Sequence, residues 1–179
     1  MTEFRKISVI GLGLIASSIC RTVRKIDPGV QLVGYDNDKG VRNKAKKIGL
    51  CEIEKNIENA VSGSKLIILC VPVGQMRAVI QKLKKFIKPG TIITDVGSVK
   101  LSVIEELESD IEGAKGKFVP SHPIAGTEKS GPDAGYAGLF EGRWCILTPT
   151  KKTNKRALSS VERFWKFLGM QTKIMTPEH

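Results

Sequence analysis

Two short segments carry side chains that could move a proton. One reads Asp95-Val96-Gly97-Ser98-Val99-Lys100, and the other reads Pro120-Ser121-His122-Pro123-Ile124-Ala125-Gly126-Thr127-Glu128. A histidine titrates near neutrality, so His122 can take a proton from an alcohol. A serine hydroxyl both donates and accepts, so Ser98 can hold the alcohol oxygen and the imidazole together. An alcohol that becomes a ketone must also surrender a hydride, and the chain therefore needs an acceptor for one.

The acceptor is signalled at the other end of the sequence. Gly11-Leu12-Gly13-Leu14-Ile15-Ala16 follows a strand-like run and opens a helical one. This is the pattern G-x-G-x-x-G/A, with alanine in the third small position. Gly11 permits a tight turn, Gly13 lets a pyrophosphate approach the backbone, and Ala16 permits close helix–sheet packing. The first helical turn, with Leu14 and Ile15, offers free N–H groups and a partial positive charge to the phosphates. Asp36 stands at the end of the second strand-like run, about twenty residues further on, where a carboxylate accepts from the ribose hydroxyls of a dinucleotide. That carboxylate repels the extra phosphate of NADP, which favours NAD. Lys39 and Arg42 lie close by and leave NADP as an alternative.

Each of these residues also has a plainer reading. Glycines in a strand-to-helix turn need bind nothing. Ser98 serves equally as the N-cap of a helix beginning near Val99. His122 fits a hydrogen-bonded structural histidine, Glu128 and Lys129 fit solvated loop charges, and Lys100 fits a helix surface.

The elements that must position these groups alternate in type. Strand-like runs cover residues 7–10, 30–35, 65–71, 91–95, 117–121, 144–147 and 171–175. Between them, Ile15, Ile19, Val23 and Ile26 keep a helical period, as do Met76, Val79, Ile80, Leu83 and Ile87. Residues 37–47 form a polar helix, and a further helix carries Leu101, Ile104 and Leu107. The last helix carries Ala157, Leu158, Val161, Phe164, Trp165 and Leu168 and is stopped by Gly169. Residues 123–142 read as a long loop. Alternating strands and helices predict an α/β fold, a doubly wound and mostly parallel sheet with helices on both faces. Ligands then bind at the carboxyl ends of the strands, where the segments above fall.

Composition narrows the remaining classes. The chain has 179 residues, 41% of them hydrophobic, which suits one dinucleotide-binding domain over 1–179. No run approaches about eighteen apolar residues, so no membrane span and a cytoplasmic location are expected. The net charge of +11 comes from lysines scattered over several helices without interleaved aromatic residues, which argues against nucleic acid. A positive field would help to gather an anionic substrate and cofactor. The four cysteines, Cys20, Cys51, Cys70 and Cys145, contain no C-x-x-C pair, and no metal site is expected. Cys70 and Cys145 read as buried, reduced thiols.

Several segments together resemble the TyrA family of prephenate, arogenate and cyclohexadienyl dehydrogenases. They are the opening GLGLIASS, the CVPV of Cys70 to Val73, the DVGSVK of Asp95 to Lys100, the SHPIAGTEKSGPDAG of Ser121 to Gly135 and the FEGRWCILTP of Phe140 to Pro149. The His-Pro-Ile-Ala-Gly-Thr-Glu stretch is the most specific. Ala16 departs from the glycine the family often has. The resemblance implies a Rossmann-type cofactor domain and NAD-dependent oxidative decarboxylation of prephenate or arogenate. It implies that His122 polarises the ring hydroxyl, that Ser98 orients substrate and histidine, and that Thr127 and Glu128 belong to the substrate loop. It also places Val71 and Pro72 at the cofactor. Another Rossmann dehydrogenase, of hydroxyisobutyrate or phosphogluconate type, and a non-catalytic NAD-binding module are the competing readings.

Family members carry a further helical domain that makes a homodimer and completes the substrate site. Thr176, Pro177 and Glu178 resemble the start of a helix. The expectation is that this helical domain is absent from the chain, that the chain binds NAD with little turnover, and that it dimerises weakly or not at all.

Overall fold

The computed structural model describes residues 1–179. In chain order the elements are β1 (Lys6–Ile10), α1 (Leu14–Ile26), β2 (Gln31–Tyr35), α2 (Lys39–Lys47), β3 (Glu52–Ile53), α3 (Ile57–Val61) and β4 (Leu66–Leu69). Then follow α4 (Val73–Leu83), β5 (Ile92–Asp95), α5 (Lys100–Gly113), β6 (Lys117–Val119), β7 (Ser121–Pro123), β8 (Trp144–Leu147), α6 (Lys155–Phe167) and β9 (Gln171–Ile174). No helix is long and apolar enough to cross a membrane.

Six strands form one parallel sheet in the order β3-β2-β1-β4-β5-β6. The chain winds outward from β1 in one direction and then, from β4, in the other. The carboxyl ends of β1 and β4 therefore part the connections that follow them and leave a crevice. Alternate strand residues sort to the two faces. Ile7, Val9, Leu66 and Ile68 pack with α1 and α6, whereas Ile10, Ile67, Leu69 and Ile93 pack with α4 and α5. Burial on both faces explains the continuous apolar runs of these strands.

The expected single sheet is, in fact, two. The strand expected over 117–121 breaks after Val119, and β7 crosses into a three-stranded sheet ordered β7-β8-β9. There β7 runs antiparallel to β8, and β8 runs parallel to β9. Pro120 lies at the break, and a proline cannot donate to a sheet ladder. Helix α6 closes the second sheet onto the first. Its Trp165 is fully buried between Phe140 and Phe164, with ring centroids 6.0 and 5.5 Å away.

Other differences are local. The helix after β4 ends at Leu83 and continues as a 3-10 turn over Lys84–Phe86, and the short β3 and α3 had no counterpart in the sequence reading. Leu101 and Ile26, both assigned to buried helix faces, are exposed. Thr176 to His179 form a turn closed by the His179 amide on the Thr176 carbonyl at 3.1 Å.

The long loop after β7 is tied to α1. Tyr136 N–H donates to Ser18 Oγ at 3.2 Å, and Thr22 Oγ1 donates to the Ala137 carbonyl at 3.0 Å. A Cβ on Gly135 would lie 2.6 Å from the Ser18 backbone nitrogen, so only glycine lets the loop come this close.

Candidate active site

The crevice opens as a cavity of about 720 Å³. That is within the range of about 300–1,000 Å³ usual for small-molecule and cofactor sites. Gly11, Gly13, Asp36, Val71, Pro72 and Ser98 all line it, so the glycine turn, the acidic strand end and the Ser98 loop share one space.

Gly11 and Gly13 serve different ends. Gly11 has φ +94°, and a Cβ there would lie 2.8 Å from the Cys70 carbonyl carbon. It is glycine because β4 passes directly beneath the turn. At Gly13 a Cβ would meet nothing within 4 Å, so the space beyond it is open. Gly13 is also the N-cap of α1 and provides no side-chain acceptor for the helix amides. The first intrahelical bond runs from Ser17 N–H to the Gly13 carbonyl at 2.9 Å. The side chains of Leu14 and Ile15 do not line the cavity; what they can offer is their backbone N–H groups. A glycine facing open space, followed by an uncapped helix, fits a pyrophosphate. Ala16 is fully buried against the sheet, as its small size requires.

Asp36 ends the adjacent strand. Its Oδ2 accepts from Leu12 N–H at 2.9 Å and its Oδ1 from Asp38 N–H at 2.9 Å. Each oxygen keeps lone-pair capacity for ribose hydroxyls. Arg42 donates to the Asp36 carbonyl at 2.8 Å and sits 5.9 Å from the Tyr35 ring centroid. Its guanidinium is thus engaged by the rim of the site.

The Ser98 loop resolves one of the two readings given above. The N-cap of α5 is Val99, with no side-chain capping bond, and Ser98 is exposed in the cavity wall rather than capping the helix. His122 does not line the cavity itself. It sits at the centre of β7, opposite Ile146, with its half-buried ring against the Val96 backbone, and Val96 lines the cavity. Its Nδ1 is buried and makes no hydrogen bond of acceptable geometry. Burial lowers the His122 pKa, the charge of Lys100 lowers it further, and the Val96 backbone and Asp95 oppose them. Thr127 and Glu128 are exposed in the loop; Thr127 Oγ1 accepts from Lys129 N–H at 3.1 Å. Of that loop only Gly131 reaches the cavity lining.

Lys100 and Asp95 are the residues whose importance the sequence reading missed. Lys100 is not on a helix surface: it is 7% exposed, and Asp95 is fully buried. The Lys100 ammonium contacts Asp95 Oδ2 and donates to the Ser121 carbonyl at 2.8 Å. A signal was present, because Lys100 shares the helical face of Ile104, Leu107 and Ile111, which are all buried.

Comparison with known proteins agrees with this geometry. The family pattern described as "Prephenate dehydrogenase, nucleotide-binding domain" matches residues 19–174. The chain is 40% identical to the cyclohexadienyl dehydrogenase of Zymomonas mobilis over 180 residues, covering all of this chain and 61% of that protein. A solved structure of Aquifex aeolicus prephenate dehydrogenase in complex with hydroxyphenyl propionate and NAD+ superposes with a TM-score of 0.87 at 34% identity, covering 97% of this chain and 60% of that one. Synechocystis arogenate dehydrogenase gives a TM-score of 0.84 at 30% identity, with 96% and 60% covered. The chain thus spans about half to three fifths of the length of the relatives it matches. It belongs to the prephenate dehydrogenase nucleotide-binding domain family.

Proposed function

We propose that the chain is the cofactor-binding unit of a cytoplasmic, NAD-dependent dehydrogenase that oxidatively decarboxylates prephenate or arogenate. The observation that carries the proposal is a single cavity joining the open face of Gly13 to the unengaged Ser98. When bound, the nicotinamide ring supplies the acceptor for a hydride. Gly13 and the first turn of α1 hold the pyrophosphate, and Asp36 holds the adenosine ribose. NAD is preferred over NADP because the Asp36 carboxylate repels a 2′-phosphate, while Arg42 is engaged with the Asp36 carbonyl and faces the Tyr35 ring.

On the substrate side, Ser98 orients the ring hydroxyl and His122 accepts its proton as the hydride leaves the same carbon. The ring ketone so formed loses its neighbouring carboxylate as carbon dioxide, and the electron pair of that bond completes the aromatic ring. Decarboxylation is then the substrate's own chemistry, and the protein's work is positioning and polarisation. Thr127 and Glu128, exposed beside this region, border the substrate.

The test is His122→Asn in protein that turns prephenate over. Turnover should fall about 10²–10⁴-fold, the usual share of a general base, with NAD+ affinity unchanged. Undiminished turnover would overturn the assignment.

A further inference from the structure

The buried pair beneath the two loops has a geometry that a simple ion pair does not need. Asp95 Oδ2 accepts from Gly97 N–H at 2.9 Å, on the Ser98 side. Asp95 Oδ1 accepts from Ser121 N–H at 3.2 Å, on the His122 side. Lys100 donates to the carbonyl of the same Ser121 at 2.8 Å. Both backbone polar groups of Ser121, the residue before the histidine, are therefore gripped by one carboxylate–ammonium unit. The Ser121 hydroxyl is also held: it donates to the Asp95 carbonyl at 2.6 Å, lies 2.8 Å from Thr94 Oγ1, and accepts from Trp165 Nε1 at 3.2 Å.

We propose that Lys100 is a positioning residue: with Asp95 it clamps the start of β7 to the Ser98 loop and supplies the fixed positive charge beneath the His122 ring. The clamp spans the point where the chain leaves the six-stranded sheet for the second one. Without it, nothing on the page but Ser121 Oγ would fix β7 to the end of β5. The charge matters because a proton acceptor must be neutral before it acts, and a buried cation close by favours the neutral ring. The groups facing the ring are Asp95 from β5, Lys100 from α5 and the Cys145 thiol from β8. Burial pushes that thiol up, so it stays uncharged and leaves the pair as the only charges there. The inference rests on the reading of His122 as proton acceptor, but its test does not use turnover.

The chain has only two histidines, His122 and His179, and His179 is exposed at the end of the chain. An NMR titration of histidine-labelled protein therefore follows His122 without ambiguity. In the wild type, His122 should titrate below the ordinary value of about 6.5. Lys100→Met should raise it by about one unit or more, because the ammonium is gone and Asp95 now attracts the proton. The double variant Asp95→Asn with Lys100→Met leaves no unpaired buried charge, and it should fold even where the single variant does not. There His122 should titrate above the wild type, with faster hydrogen exchange at the Ser121 amide. A wild-type His122 at or above about 6.5 overturns the proposal. So does a folded variant, single or double, in which both the titration and the Ser121 exchange match the wild type. Loss of turnover in His122→Asn reads the chemistry alone, so the two proposals can fail separately.

Discussion

The Leu12 amide donates to Asp36 Oδ2 at 2.9 Å, which ties the glycine turn after β1 to the carboxylate at the end of β2. One side chain thus both shapes the pyrophosphate turn and faces the ribose. The oxygen of an asparagine can still accept from Leu12, whereas alanine abolishes the contact. Hydrogen bonds to charged groups contribute about 1.5–3 kcal/mol. Asp36→Ala should therefore weaken NAD+ binding about tenfold to a hundredfold. Asp36→Asn should lose less affinity for NAD+ and narrow its advantage over NADP+. Calorimetric titration of both variants with both cofactors checks this.

The two glycines of the turn should fail in different ways. Gly11→Ala places a Cβ 2.8 Å from the Cys70 backbone in a left-handed conformation, so it should lower the unfolding midpoint by several degrees and lose cofactor as well. Gly13→Val adds its side chain to open space, so the midpoint should stay near the wild type while NAD+ affinity falls at least tenfold. Thermal unfolding with and without NAD+ separates the two. Equal midpoints for both variants would contradict the assignment.

Gly135→Ala tests the docking of the long loop. Its Cβ would meet the Ser18 backbone on α1, so the loop must lift or the helix must shift. Overpacking of this kind costs about 1–3 kcal/mol. Chemical denaturation should show that loss, together with faster hydrogen exchange at the Tyr136 amide, which donates to Ser18.

The His122 environment also fixes a pH dependence. Its pKa is lowered in the folded protein, chiefly by burial, so between the folded value and about 6.5 the unfolded chain binds more protons than the native one. Stability contributed by the neutral ring is full above about 6.5 and falls as pH drops through that window. Proton-accepting capacity is lost over the same range, at the folded value. Unfolding midpoints measured from pH 7.5 to 5 should decline in the wild type and decline less in His122→Asn.

Much of this was legible in the sequence because local chemistry and fold agree there. Gly11, Gly13 and Asp36 are dictated by the turn, the phosphate and the ribose, and the apolar runs of β1 and β4 by burial on both faces. The second sheet was not legible. Residues 117–123 are strand-forming throughout, and only the pairing partners of β7, which are distant in sequence, divide β6 from β7. Lys100 was misread for a related reason. A charged residue on an apolar helical face is ordinarily a boundary residue, and its burial becomes intelligible only with Asp95 and the Ser121 carbonyl in place. Ser98 shows the reverse case. Its sequence suits an N-cap, yet α5 starts one residue too late to use it, which leaves the hydroxyl for the cavity.

The account rests on one dinucleotide lying across the β1–β4 crevice, from Asp36 to Ser98. Titrating isotopically labelled protein with NAD+ and following the backbone amides measures this most directly. The account predicts saturable binding of one molecule, with the Leu14, Ile15, Gly97 and Ser98 amides shifting together. Saturation that leaves Leu14 and Ile15 unmoved, or no saturation at millimolar NAD+, would contradict it.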